Sequence, residues 1–159
     1  MRHVLWPDPA TIRELTPHQQ QQSSRATTKP VGILCGTPGT GKTFTAAALV
    51  RATVRSIGNI GALAVAAPTG KAAKRCSDAM QAYGLDIQAT TIHRLLGITR
   101  NGHDGNGWGF YFCQERPLPY KVVIIDEWSM ADADIAAALF AAIRPGTHVL
   151  LVGDPYQLP

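Results

Sequence analysis

Gly36-Thr37-Pro38-Gly39-Thr40-Gly41-Lys42-Thr43 decides how this sequence is read. The octet has the form G-x-x-x-x-G-K-[ST]. It stands directly after a short apolar run, Val31 to Cys35, and directly before a helical pattern, Lys42 to Ser56, that Gly58 closes. The motif carries meaning only between a strand and a helix, and both flanks are present. Its glycines let the backbone curl so that successive N–H groups point into one concavity, to which the helix start adds its positive end. The spacing brings Lys42 to the β- and γ-phosphates of a nucleoside triphosphate and gives the Thr43 hydroxyl a magnesium position.

Outward from the octet, further short runs recur: Leu63 to Ala67, Val122 to Ile125 and Val149 to Val152. Apolar throughout and rich in β-branched residues as a set, they suit parallel strands covered on both faces. Helical patterns lie between them. In Lys71 to Tyr83, the residues Ala73, Cys76, Met80 and Tyr83 share one side, Lys71, Lys74, Arg75 and Asp78 the other, and Gly84 supplies the stop. Asp132 to Ile143 repeats the scheme with Ile135, Leu139 and Ala142 before Pro145-Gly146 ends it. This alternation predicts an α/β fold, a parallel sheet with right-handed crossovers. Gln19 to Lys29 is polar and turn-prone, with four consecutive glutamines, and reads as a poor helix end and linker. The chain is therefore expected to divide into an N-terminal segment, residues 1–29, and a main domain, residues 30–159.

With 159 residues, 45% of them hydrophobic and 16% charged, there is apolar material for one domain core. The net charge of +4 permits a polyanionic partner without demanding one. Cys35, Cys76 and Cys113 are odd in number and form no C-x-x-C pair, which argues against a disulfide framework or zinc ribbon and fits a reducing cytoplasm. Pro7, Asp8 and Pro9 interrupt the few apolar residues at the start, and no stretch approaches a membrane span. A cytoplasmic location is expected.

A phosphate loop of this kind needs an acidic partner, and the run Val122 to Ile125 ends in Asp126-Glu127. Asp126 is placed to bind magnesium, directly or through water, and Glu127 to polarise the water that attacks the γ-phosphate. A carboxylate after the metal-binding aspartate suits hydrolysis better than phosphoryl transfer to a substrate hydroxyl. One stretch breaks the rhythm. Arg100 to Pro119 holds Asp104-Gly105 and Asn106-Gly107, both hairpin turn dipeptides, followed by Trp108, Phe110, Tyr111 and Phe112, so an inserted β-hairpin is expected over about 98–119. The aromatics serve either hairpin packing or base stacking.

Four further blocks stand in a fixed order around these two: Leu15-Thr16-Pro17-His18-Gln19, Ala67-Pro68-Thr69-Gly70-Lys71-Ala72-Ala73, Thr91-Ile92-His93-Arg94-Leu95-Leu96-Gly97 and Leu151-Val152-Gly153-Asp154-Pro155-Tyr156-Gln157-Leu158-Pro159. Together with Asp126-Glu127-Trp128-Ser129-Met130, the sequence resembles the first RecA-like domain of a superfamily 1 helicase, of the RecD-like group that moves 5′ to 3′ on single-stranded DNA. The resemblance implies a three-layer P-loop NTPase fold and ATP with Mg2+ as ligands. It implies that Gln19 reads the adenine edge, with Gln20 an alternative alignment. It implies that Gln157 senses the γ-phosphate from beside Asp154. Thr69, Lys71, Thr91 and His93 match DNA-contacting positions, Thr69 through its hydroxyl and the helix start behind it; for Lys71 a solvated lysine on a polar face is the competing reading, for Thr91 a helix cap, and for His93 ordinary packing. The hairpin falls where RecD-like helicases insert a pin that splits a duplex.

Trp128 departs from the family, whose acidic block carries a small or aliphatic residue there. The chain also stops before the family's second RecA-like domain, which supplies an arginine finger. It is thus expected to be the N-terminal ATP-binding half of such a motor, with weak hydrolysis of its own. The rival is a self-contained nucleotide-binding module that regulates or recruits a partner and never translocates.

Overall fold

The computed structural model describes residues 6–100 and 109–154. The expectations attached to Asp104-Gly105, Asn106-Gly107, Trp108 and Gln157 concern residues outside this set.

All four apolar runs are strands: β1 (Val31–Cys35), β2 (Leu63–Ala67), β6 (Val122–Ile125) and β7 (His148–Gly153). With β3 (Thr90–Thr91) they form a five-stranded sheet in the order β1-β7-β6-β2-β3, parallel throughout. The last strand inserts between β1 and β6, pairing Cys35 with Gly153 and Ile125 with Leu151. The loops that follow β1 and β6 therefore open at the same sheet edge, on either side of the end of β7, the position where open α/β sheets bind ligands.

Helices cover both faces. On one lie α1 (Pro17–Thr27), α2 (Lys42–Ile57) and α3 (Gly70–Ala82), packed through Ala26, Leu49, Val50, Cys76 and Met80 onto Leu34, Val65, Val122, Ile124 and Leu150. On the other, α4 (Ile92–Leu96) and α5 (Ala133–Ala141) bring Ile92, Leu96, Ile135 and Leu139 against Val123, Ile125, Val149 and Leu151. Alternate residues of β6 and β7 enter opposite cores, which is why Val122–Ile125 and Val149–Val152 are apolar at every position. This is the expected three-layer α/β architecture.

Three local expectations need correction. β1 is covered on one face only: Val31 and Ile33 are 46% and 58% exposed while Leu34 is buried, because β1 is an edge strand and among the described residues no element lies over its second face. Residues 19–27 are helix, not linker. Thr16 caps α1 with a reciprocal capping box, its hydroxyl accepting from the Gln19 N–H at 3.2 Å while Gln19 Oε1 accepts from the Thr16 N–H at 3.0 Å, and Pro17 fits the first helical position. Ser23 and Ala26 face β1, and Gly32 permits the approach; a Cβ at 32 would lie 1.6 Å from the Ala26 carbonyl oxygen. A helix so poor in apolar residues owes its place to that backbone contact. Finally, α5 is shorter than expected, with Asp132 outside it as the cap that accepts from the Ile135 N–H at 2.8 Å.

A separate antiparallel pair joins β4 (Ile98–Thr99) to β5 (Gly109–Phe110), in register Ile98 to Phe110. These two short strands lie within the stretch where an inserted hairpin is expected, and the second ends before Tyr111. Cys113 and Arg116 then exchange backbone hydrogen bonds at 3.0 and 3.2 Å in a tight turn.

Candidate nucleotide site

The phosphate loop runs from the end of β1 into α2. Gly39 and Gly41 adopt φ of 80° and 77°, backbone that only glycine enters readily. At Gly36 a Cβ would stand 2.6 Å from the Thr40 hydroxyl. The loop is tied to β7 where the Gly36 N–H donates to the Gly153 carbonyl at 3.4 Å. The Lys42 ammonium folds over the loop, donating to the carbonyls of Gly36 at 2.7 Å and Thr37 at 3.0 Å. Phosphate oxygens are the natural replacements for those neutral acceptors, since a charged acceptor makes the stronger bond.

Across the end of β7, the Thr43 hydroxyl donates to Asp126 Oδ2 at 2.9 Å, joining residues 83 positions apart. The other oxygen, Oδ1, accepts from the Glu127 N–H at 2.9 Å. Burial pushes the Asp126 carboxyl above its ordinary value; the hydrogen bonds from Thr43 and Glu127 work the other way, the Glu127 charge adds to the rise, and Arg75 opposes it. A cation beside this buried carboxylate would be favoured for the same reason. Cys76, also buried, is pushed up to about 12 by desolvation and then by the charge of Asp126, so it stays a thiol.

Glu127 follows with φ of 54°, the only non-glycine residue in left-handed backbone among those described. That conformation costs about 1–2 kcal/mol for a residue that carries a Cβ. Its Oε1 lies 3.0 Å from Arg75 Nη2. Gln19, on α1, faces the phosphate loop: its Nε2 donates to the Thr40 carbonyl at 3.2 Å, and a cleft of about 280 Å³ opens between it, His18, Gln22, Leu34 and the loop. Gln20 turns away and donates to the Ile12 carbonyl at 3.3 Å.

The remaining blocks share this sheet edge, since Thr69 follows β2 and Thr91 ends the adjoining β3. Thr69 caps α3, accepting from the Ala72 N–H at 3.2 Å; Thr91 caps α4, accepting from the Arg94 N–H at 3.2 Å. Lys71 is exposed on the first turn of α3. His93 is exposed as well, its ring 6.0 Å from that of Phe110, and with Ile98 and Gly109 the two border an open apolar groove of about 340 Å³.

Residues 19–159 match the AAA domain family. The chain belongs to that family. Within it the sequence is RecD-like. It is 36% identical over 168 residues to the RecBCD enzyme subunit RecD of Mycobacterium tuberculosis, covering 92% of this chain and 28% of that protein. It is 41% identical over 128 residues to the ATP-dependent RecD2 DNA helicase of Deinococcus radiodurans, covering 80% of this chain and 16% of that protein. The AAA domain thus spans about a quarter or less of these relatives. Its fold matches a solved Pif1 helicase, one of two coordinating at forked duplex DNA, with a TM-score of 0.55 and 23% identity over 91% of this chain and 34% of that one.

Trp128 packs edge-on against Phe140 with centroids 5.9 Å apart and lies over the end of β7, where a Cβ on Gly153 would be 3.6 Å from its own. Phe110 and Phe112 also pack onto the sheet, whereas Tyr111 is exposed beneath the Arg116 guanidinium, 4.2 Å from the ring centre. Arg75 is the residue at this AAA domain's site that sequence reading assigned no role. Its partner is 52 positions away, and its own helix offers only a polar face as a signal. Among the described residues, no helix is long and apolar enough to cross a membrane.

Proposed function

We propose that this chain is the ATP-binding and hydrolysing part of a DNA helicase motor that steps along single-stranded DNA. The observation that carries the reading is the 2.9 Å bond from Thr43 to Asp126, which brings the phosphate loop and the acidic block together at one sheet edge with Glu127 beside them. In this reading residues 30–159 form the RecA-like domain, residues 1–29 bring the adenine-reading Gln19 to it, and about 98–119 form the inserted hairpin.

The loop N–H groups of residues 36–43 and the Lys42 ammonium hold the triphosphate. Gln19 exchanges its bond to Thr40 for the adenine edge. The convergence of a hydroxyl and a buried carboxylate, Thr43 and Asp126, fits a hard divalent cation. Thr43 and Asp126 would hold Mg2+ there, which would supply charge neutralisation to the bound triphosphate. Glu127 accepts a proton from the attacking water, and Gln157 senses the γ-phosphate. Thr69, Lys71, Thr91 and His93 contact the DNA strand, and the hairpin meets a duplex junction. A second RecA-like domain is the partner that closes the cleft, and its arginine finger is worth about 10³–10⁵ in rate, so hydrolysis by these 159 residues alone is slow.

Titration of a labelled oligonucleotide across salt concentrations, with ATP turnover measured beside it, tests this reading. Salt-dependent binding of single strands with slow turnover is expected. Absence of DNA affinity at low salt would favour the stand-alone nucleotide-binding module, and brisk DNA-stimulated turnover would remove the need for a second domain.

A further inference from the structure

We infer that Arg75 is a positioning residue for Glu127: reaching across from α3, its guanidinium sets the direction in which the water-activating carboxylate points. The inference rests on the reading of Glu127 as that base.

Glu127 is fixed at its backbone and, among the described residues, at one further point. The left-handed turn at φ 54° ends β6, and its N–H is committed to Asp126 Oδ1. From there three side-chain torsions lie between the backbone and the carboxylate. The ion pair from Arg75 Nη2 to Oε1, at 3.0 Å, arrests them. A single nitrogen on a single oxygen leaves Oε2 to accept from a water molecule, which is what a base held in place must be able to do.

Arg75 is suited to this by its anchorage. The opposite face of α3 is buried through Ala72, Ala73, Cys76 and Met80, so the helix that carries the guanidinium cannot drift from the sheet. Its neighbour Lys74 makes the ordinary intrahelical pair, with Asp78 at 2.7 Å, whereas Arg75 leaves its own helix for a partner 52 positions away. The Arg75 side chain is 62% exposed, and ion pairs so placed add little to stability. Its contribution is orientation, and small misplacements of a reacting group are costly in rate.

The test follows one turnover of radiolabelled ATP with Mg2+ and the 159-residue chain in excess, with a fluorescent ATP analogue titrated separately for affinity. Glu127→Gln sets the rate without the base. The wild type should exceed it; Arg75→Ala should lower the wild-type rate roughly 10-fold with nucleotide affinity unchanged. Arg75→Lys, retaining charge with a different reach, should recover part of the loss and serves as the second variant if the alanine form does not fold. In the Glu127→Gln background, Arg75→Ala should change nothing. Equal or faster hydrolysis by Arg75→Ala overturns the inference, as does the same loss in both backgrounds, which would mark a structural role. A wild-type rate no higher than that of Glu127→Gln would instead remove the base reading itself, and this inference with it.

Discussion

Gly32→Ala is expected to be among the most damaging one-carbon changes available in this chain. A Cβ there would lie 1.6 Å from the Ala26 carbonyl oxygen, 2.6 Å from its carbon and 3.2 Å from its Cα. Real Cβ contacts essentially never fall below 3.0 Å, so at least 1.4 Å of separation must be found between two stretches of backbone, with no flexible side chain to give way. β1 is hydrogen-bonded along its length to β7, so the movement falls on α1, which loses the burial of Ala26 and carries Gln19 away from the phosphate loop. Overpacking costs about 1–3 kcal/mol where side chains can adjust, and a backbone obstacle belongs at the upper end, about 3 kcal/mol. For a chain of this size that is a fall in Tm of about 6–12 °C. Thermal melting followed by circular dichroism measures it, and a fluorescent ATP analogue should bind more weakly. Gly70→Ala is the control: nothing lies within 4 Å of its Cβ and it sits in the first turn of α3, so it should be neutral or slightly stabilising. A Tm change under about 2 °C for Gly32→Ala would refute the close-approach argument.

Asp126→Asn should raise the Tm at neutral pH in magnesium-free buffer. Burial raises this carboxyl above its ordinary 3.8, so the fold holds the proton more firmly than the unfolded chain; the stability is present below the ordinary value and lost as pH rises through the raised one. The advantage of the asparagine should therefore vanish in melts at about pH 3, and a less stable variant at neutral pH would contradict the assignment. Lys42→Ala should abolish binding of the ATP analogue and leave melting nearly unchanged, because the ammonium bonds only carbonyls of its own loop. Thr69→Val removes the acceptor for the Ala72 N–H and should cost about 1 kcal/mol in urea unfolding, while Thr69→Ser should retain both stability and oligonucleotide affinity. Unfolding of the valine form at the wild-type midpoint would show that the cap contributes nothing.

The strands that face two cores were legible because burial on both sides leaves almost only apolar residues, as in Val122–Ile125 and Val149–Val152. The turn from β1 into α2 was legible because its signals are local: glycines at fixed offsets, two of them with positive φ, before a helix start. Asp126 and Glu127 could be read for the same reason, standing at the end of such a strand. α1 could not, since its stability comes less from its own composition than from a glycine five positions beyond its end. The exposed face of β1 was misread because an apolar strand looks the same whether or not something covers its second face.

What the sequence determined by itself is thus the chemistry carried by contiguous residues and the periodicities that make strands and helices. Only the tertiary structure decided which distant groups meet. Thr43 reaches Asp126 because β7 inserts between β1 and β6 and brings two loops to one edge. Gln19, and not Gln20, faces the phosphate loop because α1 is seated on Gly32. Arg75 finds Glu127 because β2 and β6 are neighbours in the sheet, so the helix following one passes the end of the other. Such pairings depend on strand order, a property of the whole packed sheet that no local spacing encodes.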